Sequence, residues 1–443
     1  MTFEETLAEW IPTQRWFAGK GARILDVAIV ADTALASGDP GLRHLMVDVH
    51  QDAGVDSYQI LLGQRAELPD HLTHVLIGVA EDGRLAYDAL HDPELTRLLL
   101  GAIASNGRAG PLSFYAEPGA ELDTDLDSLV LTGEQSNTSL MFGEASILKV
   151  FRRPAPGPNP DLEVPRALAR RGSRHIAQPL GWFEARLGGA PTILGILSVY
   201  LRAATDGWSL AATSVRDLYA GGESAADSGG DFAGEAYRLG EATAEVHRDL
   251  AAAFGTEELP AEAISRLTDE MFERLDVARA TSPGLRPHAD LLGSAFSDLA
   301  KLDGALPVQR VHGDYHLGQV MRTQTGWVVL DFEGEPATPL AQRRAPAPAL
   351  RDVAGMLRSF DYAARHQLLL HPDADRLHEA AVEWIWRNQD AFCAGYAAGG
   401  VDPGTHAILL RALVLDKAVY EVMYEARNRP SWLPIPLGSI ADA

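Results

Sequence analysis

The sequence contains almost no cysteine: Cys393 is the single one among its 443 residues. One thiol can form no internal disulfide and cannot build a structural zinc site, which needs several ligands. The chain also lacks any apolar run near the roughly 20 residues of a membrane-spanning helix. Its first ten residues carry acids where a secretory signal would carry bases. We therefore expect a cytoplasmic protein without a membrane partner.

Basic residues are in the minority, with 38 Lys and Arg against 61 Asp and Glu, so the formal net charge is −23. Nucleic-acid binding depends on basic side chains that neutralise phosphates, and this balance argues against an extended nucleic acid as the partner. Hydrophobic residues make up 46% of the chain and charged residues 22%. This composition, over a length of about three typical domains, predicts a globular protein with a large core.

The distribution of apolar residues predicts a β-rich first half and a helical second half. Alternating runs at 44–52 and 56–63 are typical of antiparallel strands, and the branched run at 192–201 is typical of a buried strand. Further along the chain, apolar residues recur at helical spacing. We predict an α+β protein with a small α+β unit at 1–95, a β-rich part at 96–205 and a mainly helical part at 206–443.

The most informative segment is 311–335, where a polar loop precedes an apolar strand and a second acidic cluster. Asp314 is followed five residues later by Gln319, and Asp331 and Glu333 come directly after the strand. Phosphoryl transfer needs a carboxylate that accepts or orients the proton of the acceptor hydroxyl, and oxygen ligands that hold Mg²⁺. We therefore predict Asp314 as the base and the other three as Mg²⁺ ligands.

Two other interpretations of this segment stay open at the level of the sequence. His312 and His316, together with Asp314, offer ligands for a transition metal. The four-residue spacing of the two histidines is typical of a helix, whereas this segment lies between strands. Alternatively, the loop is polar for structural reasons alone.

A separate signal lies upstream, where Lys149 stands between apolar neighbours in the predicted strand 147–151 and Glu163 leads into a helix. A strand lysine held by a helix glutamate is how kinase-like enzymes bind the α and β phosphates of ATP. The small polar turn at 133–139 offers hydroxyls and backbone N–H groups that can close over phosphates, although such turns also occur in ordinary hairpins. The predicted nucleotide-binding residues are Lys149, Glu163, Gln135, Ser136, Asn137, Thr138 and Ser139.

With these features in order, the sequence resembles the aminoglycoside phosphotransferase and protein-kinase-like superfamily. The resemblance rests on His312, Gly313 and Asp314 together with Asp331 and Lys149. More closely, the chain resembles the maltokinases of actinobacteria along its whole length. The segments that carry this closer resemblance are QRWFAGK at 14–20, EQSNTS at 134–139, ILKVFRR at 147–153, NPDLE at 159–163, VHGDYHLGQV at 311–320, DFEGEP at 331–336, RDVAGMLRSFDYAA at 351–364 and YEARNRPSWLPIPL at 424–437.

The resemblance implies a bilobal protein-kinase-like fold with an N-terminal α+β cap subdomain and a mainly helical C-terminal lobe that holds the catalytic loop and the acceptor site. It implies phosphorylation of maltose to maltose 1-phosphate with ATP and Mg²⁺, which feeds glycogen synthesis from trehalose-derived maltose. It also suggests an association with trehalose synthase, and we expect a monomer or weak dimer. Gln319 stands where most of the wider superfamily has Asn, although maltokinases share the Gln.

The acceptor side is predicted on the helix near residue 420. Asp416, Tyr420 and Tyr424 recur every four residues, and Lys417 and Glu421 form the next column. Aromatic faces and charged groups that bind paired hydroxyls are the contacts that sugars require. Alternatively, Lys417 and Glu421 form an ordinary exposed helix pair. The predicted substrate-binding residues are His316, Asp416, Lys417, Tyr420, Glu421 and Tyr424.

Three competing functions remain at this point. A kinase that forms the 6-phosphate of another small sugar, such as glucosamine, could hold an ammonium group with Asp416, Glu421 and Glu425. An antibiotic phosphotransferase would need a strongly acidic acceptor site, but this helix mixes Lys417 and Arg427 with its acids. A catalytically inactive kinase-like module is disfavoured because the predicted base, the strand lysine and the metal ligands are all present.

Overall fold

The computed structural model of the protein describes residues 2–131, 133, 136–187, 189–221, 224–226, 230–302, 305–335 and 338–443. The predicted nucleotide-binding residue Gln135 lies outside these ranges. The chain groups into two compact units, one of Met1–Arg166 with Ala177–Arg202 and one of Ala167–Ile176 with Ala203–Ala443. The division into segments 1–95, 96–205 and 206–443 stays a prediction beside this grouping.

The first unit begins with a helix and a five-stranded antiparallel sheet of order β1-β2-β3-β5-β4. Thr2 and Glu5 form a capping box at the first helix, because each side chain accepts from the backbone N–H of the other. Leu7 of that helix is fully buried with Tyr58 and Ile60 of the sheet. The elements are α1 (Phe3–Trp10), β1 (Ile24–Ala36), β2 (Gly41–Gln51), β3 (Gly54–Arg65), β4 (Leu76–Val79), β5 (Leu85–Asp88) and α2 (Pro93–Ala104).

A second, seven-stranded sheet of order β6-β7-β11-β12-β10-β9-β8 completes the first unit. Gln59 of the first sheet ties the two together, since its amide nitrogen donates to the carbonyl oxygens of Phe151 and Leu194. The buried Arg152 bonds to Asp88, which adds an ion pair to the same junction. The elements are β6 (Arg108–Ala109), β7 (Leu112–Ala116), β8 (Ser128–Leu131), β9 (Thr138–Phe142), β10 (Ser146–Val150), α3 (Pro160–Arg170), β11 (Pro179–Leu187) and β12 (Ala190–Val199).

The second unit is mainly helical. Within the described ranges, no helix has the length and apolarity that crossing a membrane requires. The short strands of the second unit form the pairs β14–β15 and β16–β17, with β13 beside β16. The elements are β13 (Thr205–Asp206), α4 (Gly207–Tyr219), α5 (Ala233–Phe254), β14 (Thr256–Leu259), α6 (Ala261–Thr281), α7 (Ala289–Ala300), β15 (Leu306–Gln309), β16 (Val320–Thr323), β17 (Gly326–Val329), α8 (Leu340–Arg343), α9 (Leu350–Leu368), α10 (Ala374–Gly399), α11 (Ala407–Asn428) and α12 (Pro434–Ala441).

Helices α9 and α11 pack against each other in the second unit. The apolar positions Leu415, Val419 and Val422 of α11 are buried, as their helical spacing predicts. On α9, Gly355 faces the loop that follows β15, and a Cβ atom there would lie 2.5 Å from the carbonyl oxygen of Tyr315. A glycine at this position lets the helix approach the loop closely. The predicted mixture of sheets and helices is confirmed.

Candidate active site

The loop that carries Asp314 is held by its own histidine. His312 is buried, and its Nε2 lies 2.7 Å from the carbonyl oxygen of Leu330 while its Nδ1 accepts the N–H of Asp314 at 3.3 Å. Since Nδ1 accepts, Nε2 carries the ring proton and donates. Both ring nitrogens are therefore engaged. The interpretation of this segment as a transition-metal site that uses His312 is wrong for this reason.

A buried carboxylate on α9 orients the same loop. The two oxygens of Asp352 accept the backbone N–H groups of His312 at 2.7 Å and Gly313 at 2.9 Å. His247 of α5 adds a third contact at 3.0 Å, and its other ring nitrogen lies 2.8 Å from the hydroxyl of Tyr396. Burial disfavours the ionised acid, but these partners outweigh it, and the pKa of Asp352 is lowered. Asp352 is one of two aspartates in α9, and sequence reasoning did not single it out.

Gln319 directly precedes β16 and Asp331 follows β17, so both lie at the open end of the β16–β17 hairpin. The N–H of Leu330 donates to the carbonyl oxygen of Gln319 at 2.9 Å, which brings the predicted metal ligands together. Asp331 has a backbone φ of +53°, a left-handed conformation that is costly for a residue other than glycine and is concentrated at functional sites. Carboxylate oxygens of Asp331 and Glu333 lie within 4.8 Å of each other. These hard oxygen donors suit Mg²⁺.

His316, a predicted substrate residue, is engaged by its own loop. Its Nδ1 accepts the backbone N–H of Gly318 at 3.0 Å, and burial lowers the pKa of the imidazole. The neighbouring Tyr315, for which the sequence suggested no role, is buried, and its hydroxyl lies 2.7 Å from that of Thr243. Both contacts fix the loop around Asp314.

The strand lysine of the first unit is paired with a carboxylate that sequence reasoning missed. Lys149 Nζ donates to Asp161 Oδ2 at 2.9 Å, and both side chains are largely buried. Asp161 and the predicted partner Glu163 both lie in the first turn of α3. Two acids two residues apart were present in the sequence, and only the fold shows Asp161 beside the lysine.

The polar turn before β9 is shorter than predicted. Thr138 and Ser139 belong to β9 and are buried, and Ser139 pairs with Lys149 across the two strands. The hydroxyl of Thr138 accepts from the guanidinium of Arg152 at 2.8 Å. Ser136 is exposed and Asn137 half-buried, with a contact of 3.2 Å between their side chains. The interpretation of Thr138 and Ser139 as turn residues is wrong, because strand pairing with β10 begins at Thr138.

Helices α9 and α11 line a cavity of about 900 Å³ in the second unit, which we call the aromatic cavity. Along α9 its wall is formed by Gly355, Ser359, Tyr362 and His366, which are spaced as one helical face. Along α11 the wall includes a predicted tyrosine pair with ring centroids 6.4 Å apart. The other lining residues are Trp208, Asp314, Tyr315, His316, Gly318, Glu335, Lys417, Tyr420, Glu421, Tyr424, Glu425, Arg429 and Trp432.

Two charged residues of α11, Lys417 and Glu421, are paired with residues outside this helix. Lys417 Nζ donates to Glu335 Oε1 at 2.8 Å, and the guanidinium of Arg358 donates to Glu421 Oε2 at 2.7 and 2.9 Å. The alternative in which Lys417 and Glu421 form an exposed helix pair is therefore wrong. Burial alone would lower the pKa of Lys417, but the carboxylates of Glu335 and Asp314 raise it. The ammonium thus stays charged beside the predicted base.

Asp416 occupies a different position from the other predicted sugar contacts. It lines a second cavity of about 500 Å³, which shares Asp314, Glu335 and Lys417 with the aromatic cavity. Arg274 of α6 bonds to its carboxylate, while burial raises the pKa of Asp416. The structure therefore brings Lys417, Tyr420, Glu421 and Tyr424 into one cavity and places Asp416 outside it.

Comparison with known proteins identifies the family. Residues 10–92 match the maltokinase N-terminal cap domain, and residues 218–384 match the phosphotransferase enzyme family. A glucosamine kinase of Streptacidiphilus jiangxiensis is 33% identical over 358 residues, covering 78% of this chain and 80% of that protein. The chain belongs to the phosphotransferase enzyme family. A glucosamine kinase of Mycolicibacterium smegmatis is 30% identical over 318 residues, or 69% of this chain and 77% of that protein.

A solved structure also resembles this phosphotransferase. A glucosamine kinase in complex with glucosamine, ADP and inorganic phosphate aligns with a TM-score of 0.71 at 25% identity, covering 100% of this chain and 99% of that chain. The predicted kinase-like fold with an N-terminal cap is confirmed. Together these similarities support an ATP-dependent sugar kinase.

Proposed function

We propose that this phosphotransferase transfers the terminal phosphate of ATP to the anomeric hydroxyl of maltose. One observation supports a neutral sugar over a cationic one as the acceptor. Each of the three acids that could hold an ammonium group is bonded to an arginine: Asp416 to Arg274, Glu421 to Arg358 and Glu425 to Arg429. A carboxylate that already has a guanidinium partner has little attraction left for a cationic substrate.

The aromatic cavity supports the same proposal through its shape and chemistry. A volume of about 900 Å³ is at the upper end of the range for ligand pockets, which extends from roughly 300 to 1,000 Å³. Its aromatic rings offer apolar faces to pyranose rings. The ion pair of Lys417 and Glu335 offers both donors and an acceptor to sugar hydroxyls next to Asp314.

The predicted residues have distinct roles in such a transfer. Asp314 accepts the proton of the attacking hydroxyl as the bond to phosphorus forms, and Lys149 with Asp161 and Glu163 serves the phosphates of ATP. Gln135, Ser136, Asn137 and the adjacent first residues of β9, Thr138 and Ser139, are assigned to the same nucleotide role. In the acceptor site, Tyr420, Tyr424, Lys417 and Glu421 contact the sugar, and His316 fixes the loop.

Mg²⁺ fits the oxygen donors of Gln319, Asp331 and Glu333, and when bound it would neutralise charge on the transferred phosphate. Replacing Asp331 by alanine is expected to remove the Mg²⁺-dependent part of nucleotide binding, because a carboxylate ligand is lost. Calorimetric titration with ADP, with and without Mg²⁺, measures this. Asp298→Ala, at a partly exposed position of α7 paired with Lys301, serves as the control. An equal gain in affinity from Mg²⁺ in both variants would remove Asp331 from the metal site.

Acceptor specificity is tested by offering ATP with maltose, glucose, glucosamine or an aminoglycoside and measuring ADP release. We expect kcat/KM for maltose to exceed that for glucosamine by about tenfold or more, since the acids of the acceptor helix are already paired with arginines and offer little attraction to an ammonium. The phosphorylated carbon is identified by phosphorus–proton correlation in NMR spectra, with phosphate expected on C1. Turnover of glucosamine at C6 without turnover of maltose would disprove the proposal.

A kinase of glucosamine is the second candidate, and it is favoured by the names of the similar proteins. The comparison of acceptor sugars separates the two. The supply of maltose 1-phosphate to glycogen synthesis, the association with trehalose synthase and the monomeric or weakly dimeric state stay predictions.

A further inference from the structure

Arg429, the residue that follows α11, is a structural part of the aromatic cavity. Its Nε and Nη2 donate to the two carboxylate oxygens of Glu425 at 2.9 and 2.7 Å, in the forked geometry that arginine offers to carboxylates. The guanidinium carbon also lies 4.1 Å from the ring centroid of Trp432 and 5.4 Å from that of Tyr424. Arg429 is thus both a counter-ion and a piece of the cavity wall.

Glu425 depends on this counter-ion. Its side chain is 1% exposed, whereas that of Arg429 is 43% exposed. In the described part of the chain, Arg429 is the only basic side chain that hydrogen-bonds to Glu425. The carboxylate of Glu425 also accepts from the neutral hydroxyl of Tyr362 at 3.1 Å. A buried carboxylate that loses its cation is strongly disfavoured. Without Arg429, an ammonium group inside the cavity would be the natural replacement.

We propose that Arg429 determines the acceptor selectivity of this enzyme for neutral sugars, by neutralising Glu425 within the aromatic cavity. The proposal rests on the function proposed above for the same site and adds the residue that sets its specificity. Glucose and glucosamine are suitable probes, because they differ only in a hydroxyl or an ammonium at one carbon. The ratio of their kcat/KM values therefore reports the charge that the cavity offers.

The first test is Arg429→Gln. We expect the glucosamine-to-glucose ratio of kcat/KM to rise about 10- to 100-fold over wild type, as befits one charge-assisted hydrogen bond gained by the ammonium. Arg429→Lys keeps the charge and should keep the ratio near that of wild type. Arg427→Gln, at an exposed position of the same helix, is the matched control and should leave the ratio unchanged. An unchanged ratio in Arg429→Gln would overturn the proposal.

Removing the anion instead of the cation should change the glucosamine-to-glucose ratio of kcat/KM in the opposite direction. Glu425→Gln leaves the guanidinium of Arg429 without its anion, so the ratio should fall below that of wild type. The double variant with both glutamines should return it towards the wild-type value, since the cavity is again uncharged at this point. If Arg429→Gln fails to fold, as thermal unfolding would show, a ratio that stays constant or rises in Glu425→Gln refutes the role of Arg429.

The outcome is separable from that of the proposed function. Wild-type enzyme that phosphorylates glucosamine and leaves maltose untouched disproves the maltose assignment. The charge test compares variants with wild type, so it decides the role of Arg429 whichever sugar the wild type prefers.

Discussion

Asp314→Asn is expected to lower kcat by about 10²- to 10⁴-fold, the range that a lost general base accounts for. Asparagine has the shape of aspartate, but its amide does not accept a proton at neutral pH. The backbone of the loop should stay in place, because His312 and Asp352 hold it through main-chain groups. The KM values for ATP and sugar should therefore change far less than kcat.

Steady-state kinetics with each substrate varied in turn measures this effect, and thermal unfolding confirms that the variant is folded. Asp375→Asn removes a carboxylate from an exposed position of α10 and should behave as wild type. A kcat near that of wild type in Asp314→Asn would show that another group accepts the proton.

Asp352→Asn should reduce both stability and turnover. The substitution removes a buried charge and replaces one accepting oxygen by an amide NH₂ group that faces other donors. A buried polar group left unsatisfied typically costs about 1–3 kcal/mol. Because the loop that carries Asp314 loses its anchor, we also expect kcat to fall at least about tenfold with KM for ATP little changed, through the misplacement of a reacting group. Asp352 acts here as a positioning residue.

The free energy of unfolding and kcat, measured on the same variants, separate a positioning role from a purely structural one. Asp92→Asn breaks a buried ion pair with Arg65 in the first unit, and it should cost stability without lowering kcat. If Asp352→Asn changes stability alone, Asp352 has no positioning role.

The stability difference caused by Asp352→Asn should depend on pH with a definite sign. The pKa of Asp352 is lowered from its ordinary value of 3.8, so the ionised acid stabilises the folded state fully above that value. This contribution is lost as the pH falls through the folded pKa. Unfolding titrations should thus show a constant gap between wild type and variant near neutral pH and a narrowing gap below about pH 3.8.

The proximity of Asp314 to the predicted metal ligands could be foreseen because these residues are close in sequence. Asp314, Gln319 and Asp331 lie within one loop and one hairpin, so their spacing alone brings them together. The apolar stripe of α11 and the lysine in β10 were likewise predictable, because strand and helix periods assign each side chain to a face.

Ion-pair partners could not be predicted in the same way. Lys149 had Asp161 and Glu163 as candidate partners within two residues of each other, and only the fold shows the hydrogen bond to Asp161. Lys417 and Glu421 lie one turn apart and have the spacing of a helix pair, yet each bonds to a residue more than 60 positions away. A local pattern offers candidates for pairing, and packing selects among them.

By itself, the sequence determined the α+β class, the phosphoryl-transfer chemistry and the segment that carries Asp314, since these depend on residue types at short and regular separations. Only the tertiary structure decided how the acceptor cavity is charged. The arginine that neutralises Glu421 comes from α9, and the arginine that neutralises Asp416 in the adjoining cavity comes from α6, both more than 60 positions away along the chain. Coulombic attraction and desolvation act over distances in space, and the folded chain sets those distances independently of separation along the sequence.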